Sequence, residues 1–161
     1  MSGGVDSSVA ALLLKEAGFD VTGVTMSLGI HQKEGCPGRF TDEAIADAQM
    51  VCEQLEIPHL TFAFADLMED KVISKFIAEY SNGRTPNPCV DCNRELKFGA
   101  LLQKSLEMGF DYLATGHYAR SEKTDHAWHL MRPKDKTRGC ILLYIRLHIC
   151  FLNSLYRLLC L

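Results

Sequence analysis

This 161-residue sequence has little of what marks a secreted, membrane or nucleic-acid-binding protein. It lacks an N-terminal charged segment followed by an apolar run and a small-residue cleavage site, so we expect no signal peptide. Positive charge is not in excess, because the formal net charge is −3, and composition alone gives no preference for nucleic acid. Without a signal peptide, the seven cysteines favour reduced thiols in a cytosolic protein. Their odd number argues against a complete disulfide framework.

Two widespread phosphate-binding motifs are also missing from the first ten residues, MSGGVDSSVA, which contain neither Gly-Lys-Ser/Thr nor Gly-x-Gly-x-x-Gly. Two adjacent glycines nevertheless permit a tight turn close to a ligand. Asp6, Ser7 and Ser8 are residue types that cap helices, and residues 9–17 are helix formers. A helix N-terminus of this kind binds anions, so the segment predicts a phosphate or pyrophosphate site. An ordinary capped turn is the alternative.

Strand-like and helix-like segments alternate along residues 9–115. Apolar and β-branched runs predict strands at residues 21–27, 60–65 and 112–115. Helical spacing of apolar residues predicts helices at residues 9–17, from a cap at Thr41 or Asp42 to Pro58, and at 67–80 and 95–108. This alternation predicts βαβ units and an α/β fold with a parallel sheet.

A C-x-x-C pair, Cys89 and Cys92, lies in a loop stiffened by two prolines. Asn93 is a suitable cap for the following helix, which would place Cys92 at a helix N-terminus. Basic residues follow at once in the sequence. Both features would lower the pKa of Cys92, so we expect it to be the more reactive thiol of the pair.

The chemistry of this pair has three functional interpretations. It could be a redox dithiol, half of a zinc or iron–sulfur site, or a sulfur-carrying nucleophile. A four-thiolate zinc site needs a second C-x-x-C, which the sequence lacks. Two buried loop cysteines are the structural alternative. His117 raises a similar question, because it follows a strand end, where open α/β sheets bind ligands, but histidines there are as often structural.

The composition changes near Thr137, and no acidic residue follows Asp135. The remainder, RGCILLYIRLHICFLNSLYRLLCL, is long enough to span a membrane, but Arg146 and Arg157 would be costly inside it. A buried core helix is a second interpretation. A shifted reading frame is the third. We therefore predict a domain at residues 1–137 and a divergent apolar tail at residues 138–161.

Three segments occur in one order: SGGVDSS, TPNPCVDCNRELKFGALL and DYLATGHYAR. Together they closely resemble the tRNA-specific 2-thiouridylases, a family of PP-loop ATP pyrophosphatases, from Met1 to about Thr137. The first segment alone is also similar to GMP synthetase, NAD synthetase and argininosuccinate synthetase. The resemblance implies a doubly wound parallel sheet of the adenine nucleotide α-hydrolase type.

The resemblance also implies a reaction. ATP adenylates the C2 oxygen of the wobble uridine of tRNA with release of pyrophosphate, then a cysteine persulfide delivers sulfur and AMP leaves. Cys92 and Asp6 would be the catalytic residues. ATP, with Mg²⁺, would be held by the first loop and by residues near later strand ends: Ser2, Gly3, Gly4, Asp6, Ser7, Ser8, Met26, Gly116 and His117.

Further implied partners are tRNA and a persulfide sulfur donor protein, without a membrane. Four basic residues are candidates for tRNA phosphate contacts: Arg84, Arg94, Lys97 and Arg120. Cys89 falls where some members have aspartate. An iron–sulfur cluster on Cys89 and Cys92 would be compatible with the C-x-x-C pair, and so would a disulfide. We expect a cytoplasmic enzyme, with a mitochondrial location open for a eukaryotic source.

The sequence departs from the family at both ends. Members have a strand of the VVVAMSGG kind before SGGVDSS, so we expect the central strand of the sheet to be missing. The tail has no counterpart in the family, so we expect it to have no place in the fold and the chain to be a truncated, inactive form. Another PP-loop ligase, or a metal-binding remnant that keeps only the fold, are the alternative functions.

Overall fold

The computed structural model describes residues 1–29, 42–116, 120–124, 127–131 and 157–161. The strands in chain order are β1 (Asp20–Ser27), β2 (His59–Ala63), β3 (Tyr112–Ala114), β4 (Arg120–Lys123), β5 (Trp128–Met131) and β6 (Arg157–Cys160). The helices are α1 (Val5–Glu16), α2 (Asp42–Gln54), α3 (Ala65–Met68), α4 (Ser74–Ser81), α5 (Pro88–Asp91) and α6 (Leu102–Glu107). Two π-helical stretches, Glu69–Ile73 and Cys92–Leu101, join α3 to α4 and α5 to α6.

Four of the strands form one sheet in the order β2-β1-β6-β3, and every neighbouring pair is parallel. Residues 21–26 of β1 are all buried, as an apolar and β-branched run at the centre of a sheet should be. The predicted α/β fold with a parallel sheet is therefore confirmed. The other two strands, β4 and β5, form an antiparallel hairpin that the sequence patterns did not predict.

Helices cover both faces of the sheet, because side chains alternate between two cores along each strand. One core joins Val24 and Leu159 to Leu96 and Leu101 from the π-helical stretch Cys92–Leu101. The other core contains Val21 and Cys160 from the strands with three helix residues: Ala11, Ala48 and Cys52. The sheet is thus doubly wound, with α1 and α2 on one side and the cysteine-bearing helix on the other.

The expectation that the tail has no place in the fold is wrong for its last residues. Strand β6 lies between β1 and β3 and pairs with both. Leu159 and Cys160 are fully buried, one in each core. Apolar side chains on both faces fit a strand that has a helical layer above and below it. The sheet position expected to be vacant is therefore filled from the end of the chain.

Two helix starts differ from the sequence-based prediction. The helix expected from Glu95 begins at Pro88, since proline is favoured in the first turn, where its missing N–H costs nothing. Helix α1 begins at Val5, with Gly4 as its N-cap and no capping bond from a side chain. Among the described helices, none is both long enough and apolar enough to cross a membrane.

Candidate nucleotide and thiol site

The glycine-rich segment turns directly into helix α1. Gly3 has φ +68°, a left-handed conformation that glycine adopts without strain. A Cβ atom at Gly3 would also lie 2.8 Å from the Cβ atom of Asp47 on α2. Both facts require glycine at this position. The predicted turn into a helix N-terminus is confirmed.

Serine hydroxyl groups fix this loop to itself. Ser7 Oγ donates to the carbonyl oxygen of Gly4 at 3.1 Å, and Ser8 Oγ donates to the same oxygen at 2.9 Å. The backbone N–H of Ser2 donates to Ser7 Oγ at 3.2 Å. The expectation that Asp6, Ser7 or Ser8 caps the helix is wrong, because their positions fall inside the first turn. No side chain caps this helix start, which leaves its positive end directed at the loop.

Gly116 comes from a distant part of the sequence and packs against the start of α1. A Cβ atom at Gly116 would lie 2.9 Å from the carbonyl carbon of Asp6 and 3.0 Å from the nitrogen of Ser7. The structure therefore brings Gly116 to the predicted phosphate loop, just beyond the end of β3. His117, the next residue, lies outside the described residues. Met26 is buried in the core beside β2, at 3% exposure.

A threonine–histidine pair borders the same loop and was not foreseen. Thr25 Oγ1 donates to the carbonyl oxygen of Met1 at 2.7 Å and lies 2.8 Å from Nε2 of His59. Because the Thr25 proton is used by Met1, the imidazole must donate through Nε2. Burial, and then the nearby amino terminus, lowers the pKa of His59, which keeps this ring neutral near pH 7. The pair anchors Met1 to the end of β1.

The two cysteines of the C-x-x-C motif lie on one continuous helical run from Pro88 to Glu107, called the cysteine helix. Cys89 is exposed and lies in the first turn, whereas Cys92 is half-buried against the apolar core. Burial raises the pKa of Cys92, Lys97 lowers it, and the neighbouring Cys89 raises it. The prediction of a lowered pKa for Cys92 is wrong, since the helix begins four residues earlier and desolvation outweighs the positive charge.

A buried carboxylate between the two cysteines fixes the start of the cysteine helix. Asp91 is 7% exposed and accepts a hydrogen bond from Lys75 Nζ at 2.7 Å. Arg94 Nη2 donates to the same oxygen at 3.1 Å. Lys75 belongs to α4, so Asp91 ties two helices together. An acidic residue inside the C-x-x-C motif was the sequence signal for this contact, but its burial was decided by packing.

The four basic residues predicted to contact tRNA have different surroundings. Arg84 Nε contacts Glu79 Oε2 at 2.8 Å, and Arg94 Nε contacts Glu95 Oε1 at 2.7 Å. Phosphate binding by either arginine would therefore compete with a carboxylate, although exposed ion pairs of this kind are weak. Lys97 lies close enough to influence Cys92. Arg120 begins β4, and its side chain lies outside the described part of the structure.

Metal binding at the C-x-x-C motif was left open by the sequence. Within residues 1–29, 42–116 and the shorter described segments, no three His, Cys, Asp or Glu side chains come together in a way that could hold a metal ion. Cys89 and Cys92 supply two thiols. A structural zinc site takes four ligands, so this pair would need further ligands from elsewhere.

The geometry gives a prediction for thiol reactivity. We expect Cys89 to be alkylated several-fold faster than Cys92 at pH 7, because Cys89 is exposed and the Cys92 thiolate is disfavoured by burial. The Cys92 rate should continue to rise at a pH above that at which an ordinary thiol is ionised. Iodoacetamide labelling followed by peptide mass spectrometry measures both rates. Buried Cys52 is the slow reference, and Cys92 labelled faster than Cys89 would contradict this assignment.

Comparison with known proteins agrees with this geometry. A family model described as the tRNA methyl transferase HUP domain matches residues 1–154. The chain belongs to this family. Curated relatives include the tRNA-specific 2-thiouridylase MnmA 1 of Syntrophus aciditrophicus, 59% identical over 138 residues, which are 84% of this chain and 36% of the relative. The resemblance to the 2-thiouridylase family is thereby confirmed.

Two further members of the 2-thiouridylase family show the same pattern. The tRNA-specific 2-thiouridylase MnmA of Clostridium beijerinckii is 49% identical over 141 residues, covering 84% of this chain and 38% of the relative. The tRNA-specific 2-thiouridylase MnmA of Moorella thermoacetica is 54% identical over 123 residues, which are 74% of this chain and 34% of the relative. The chain thus spans a little over a third of the length of these relatives. The boundary predicted at residue 137 stays a prediction.

Proposed function

We propose that this 2-thiouridylase-family chain binds ATP at the loop before α1 and carries sulfur on the cysteine helix for 2-thiolation of the wobble uridine of tRNA. The observation that carries the nucleotide part is the contact of Gly116 with Asp6 and Ser7. Two separate glycine-containing segments therefore lie around one helix N-terminus that has no side-chain cap, near the carboxyl end of strand β3 of the parallel sheet. This is where α/β sheets bind phosphate-containing ligands.

The loop residues suit the phosphate groups of ATP. The backbone N–H of Gly3 and those at the start of α1 are the proposed donors for a pyrophosphate group, and the helix dipole favours its charge. The N–H groups of Ser2 and Gly4 donate to Ser7 Oγ and Ser2 Oγ in this structure and would have to exchange those partners for phosphate. Asp6 places a carboxylate in the first turn of α1. A carboxylate beside phosphate requires a cation between them, and Mg²⁺ prefers such oxygen ligands. Asp6 is therefore the residue that would hold Mg²⁺, with Ser7, Ser8 and His117 as further proposed nucleotide contacts. The side chain of Met26 is buried in the core, so a contact at that position would have to use its backbone.

Replacement of the uridine C2 oxygen by sulfur requires that this oxygen first be converted into a leaving group. The uridine C2 oxygen attacks the α-phosphorus atom of ATP, and pyrophosphate leaves. The terminal sulfur of a Cys92 persulfide, received from a sulfur donor protein, then attacks C2 and displaces AMP. A second thiol must attack the Cys92 sulfur to release the thiolated base, which leaves a disulfide for a reducing thiol to open. Cys89, three positions away on the same helix, is one thiol that could act in this step.

The tRNA would lie across the cysteine helix and the segment before it, within reach of the basic residues already placed there: Arg84, Arg94 and Lys97, with Arg120 from β4. Phosphate contacts of this kind position a nucleic acid without reading its sequence. A cytoplasmic location is proposed with this function.

Titration calorimetry with ATP and Mg²⁺ tests the nucleotide part. We expect the double variant Asp6→Ala with Ser7→Ala to bind ATP about tenfold more weakly, since it removes the cation-binding carboxylate and a loop-fixing hydroxyl group. The matched control is Asp70→Ala with Ser81→Ala, because it makes the same substitutions away from the loop, in the region of π-helix and α4. The control should bind ATP as the unaltered chain does.

Unchanged affinity in the Asp6 and Ser7 variant would place the nucleotide elsewhere. The metal-binding alternative is checked on the same preparation by elemental analysis. Stoichiometric zinc or iron that disappears in Cys92→Ser, together with no ATP binding, would favour a metal-binding remnant over the proposed enzyme. The sulfur-carrying role has its own readout, the mass of a persulfide on the peptide containing Cys92 after incubation with a sulfur donor.

A further inference from the structure

Strand β6 pairs with β1 beside the point where the chain enters the glycine-rich loop. Its last pairing with β1 joins Cys160 to Gly23. Beyond that pair, β1 is contacted by Met1, whose amino group donates to the carbonyl oxygens of Val24 and, at 3.3 Å, Cys160. Thr25 Oγ1 holds the Met1 carbonyl group. The end of β6 and the start of the loop therefore follow one another along the same edge of β1.

The same strand also reaches the other side of the loop. The backbone N–H of Leu161 donates to the carbonyl oxygen of Ala114 at 2.9 Å, which holds the end of β6 to β3. Gly116 follows β3 by two residues and contacts Asp6 and Ser7. The Sγ atom of Cys160 lies 3.9 Å from the carbonyl oxygen of Ser7. Strand β6 thus contacts both segments that border the proposed phosphate site.

Removal of β6 would open the sheet at its centre. In the described part of the chain, β3 has β6 as its sheet neighbour, and β1 has β6 on one side and β2 on the other. Leu159 and Cys160 fill the two cores, each with 0% exposure. Without β6, Met1 would still be held by β1 and Gly116 would still follow β3, but these two strands would no longer belong to one sheet.

We propose that β6 supports the glycine-rich loop, so that ATP binding by this chain depends on Leu159 and Cys160 as positioning residues that do not contact the nucleotide. The inference rests on the proposed ATP site and extends it to the end of the chain. Backbone donors around a phosphate must be held to within fractions of an ångström, and a fixed sheet edge is what holds them.

A matched pair of variants tests this role. Leu159→Ala and Leu101→Ala remove the same atoms from the same core, and both leucines are fully buried. Leu101 belongs to the cysteine helix, so it fills this core from the helical layer and not from the sheet. We expect Leu159→Ala to weaken ATP binding about tenfold and Leu101→Ala less than about twofold, although both lower stability. Leu159→Ile, which restores the apolar volume, should recover the affinity.

Amide hydrogen exchange tests the support of the sheet by β6 without ATP. Leu159→Ala should speed amide exchange selectively in β1 and β3, whereas Leu101→Ala should not. If the unaltered chain binds no ATP, the proposed nucleotide site is wrong and this arm alone decides the role of β6. Equal ATP affinities in the two alanine variants, or unchanged exchange in β1 and β3, would overturn the proposal. If neither alanine variant folds, Leu159→Val and Leu101→Val are compared by the same criteria.

Discussion

Replacement of Gly116 by valine is expected to weaken ATP binding about 100-fold while leaving the protein folded. The reason is that a Cβ atom at Gly116 would lie within 3.1 Å of three backbone atoms of Asp6 and Ser7. Backbone atoms at a helix N-terminus cannot rotate away as a side chain can, so the added group must displace the loop. Isothermal titration with ATP and Mg²⁺ measures the loss, and circular dichroism shows whether the fold is retained.

Two other glycine variants define what this result means. Gly116→Ala adds the clashing Cβ atom without the branched methyl groups, so its affinity should be intermediate. Gly83→Ala adds the same atom where nothing lies within 4 Å. The φ angle of Gly83 is +70°, so that variant should cost about 1 kcal/mol of stability and no ATP affinity. Full affinity in Gly116→Val would show that Gly116 does not border the nucleotide.

The second large effect is expected at Gly23, in the middle of β1. A Cβ atom there would lie 2.4 Å from the Sγ atom of Cys52 and 3.0 Å from the Cγ atom of Met1. Cys52 is fully buried on α2, which packs on this face of the sheet. We expect Gly23→Ala to lower the free energy of unfolding by about 3 kcal/mol, because α2 must move away from the sheet. Urea denaturation measures this change.

A double-mutant cycle separates this clash from a general loss of packing. Cys52→Ala alone should cost about 1 kcal/mol, since it leaves a small cavity. Combined with Gly23→Ala, it removes the sulfur atom that the new methyl group would meet, so the double variant should be more stable than Gly23→Ala alone. Strict additivity of the two single effects would exclude the Cys52 contact as the cause.

Local patterns were sufficient for the elements that depend on near neighbours in the sequence. The β-branched run from Val21 predicted β1, and the segment from Met1 to Ser8 predicted a turn into a helix start, both of which the structure has. Helix limits were less well predicted. The cysteine helix begins at Pro88 and not near Glu95. Proline is common both in loops and in the first turn of a helix, so its presence did not distinguish the two structures.

The pKa of Cys92 was beyond sequence reasoning for a related reason. Lys97 does lower it, as expected from the charge alone. The larger contribution is burial, which depends on the apolar core beneath the helix and not on neighbouring residues in the chain. Asp91 shows the same limit, since its contact with Lys75 required two helices to be brought together, whereas Arg94 lies three residues further along the same helix.

The sequence by itself determined the fold class, because the periodicity of apolar residues alternates between strand and helix. It also indicated the family and the two segments that carry the proposed chemistry, because three of its motifs resemble those of the 2-thiouridylases. Only the tertiary structure decided three other features: the contact of Gly116 with the loop, the burial of Cys92, and the insertion of Arg157–Cys160 between β1 and β3. Each of these joins residues that are far apart in the chain or in different layers. Such contacts are selected by the free energy of packing and hydrogen bonding across the whole sheet, which no local pattern contains.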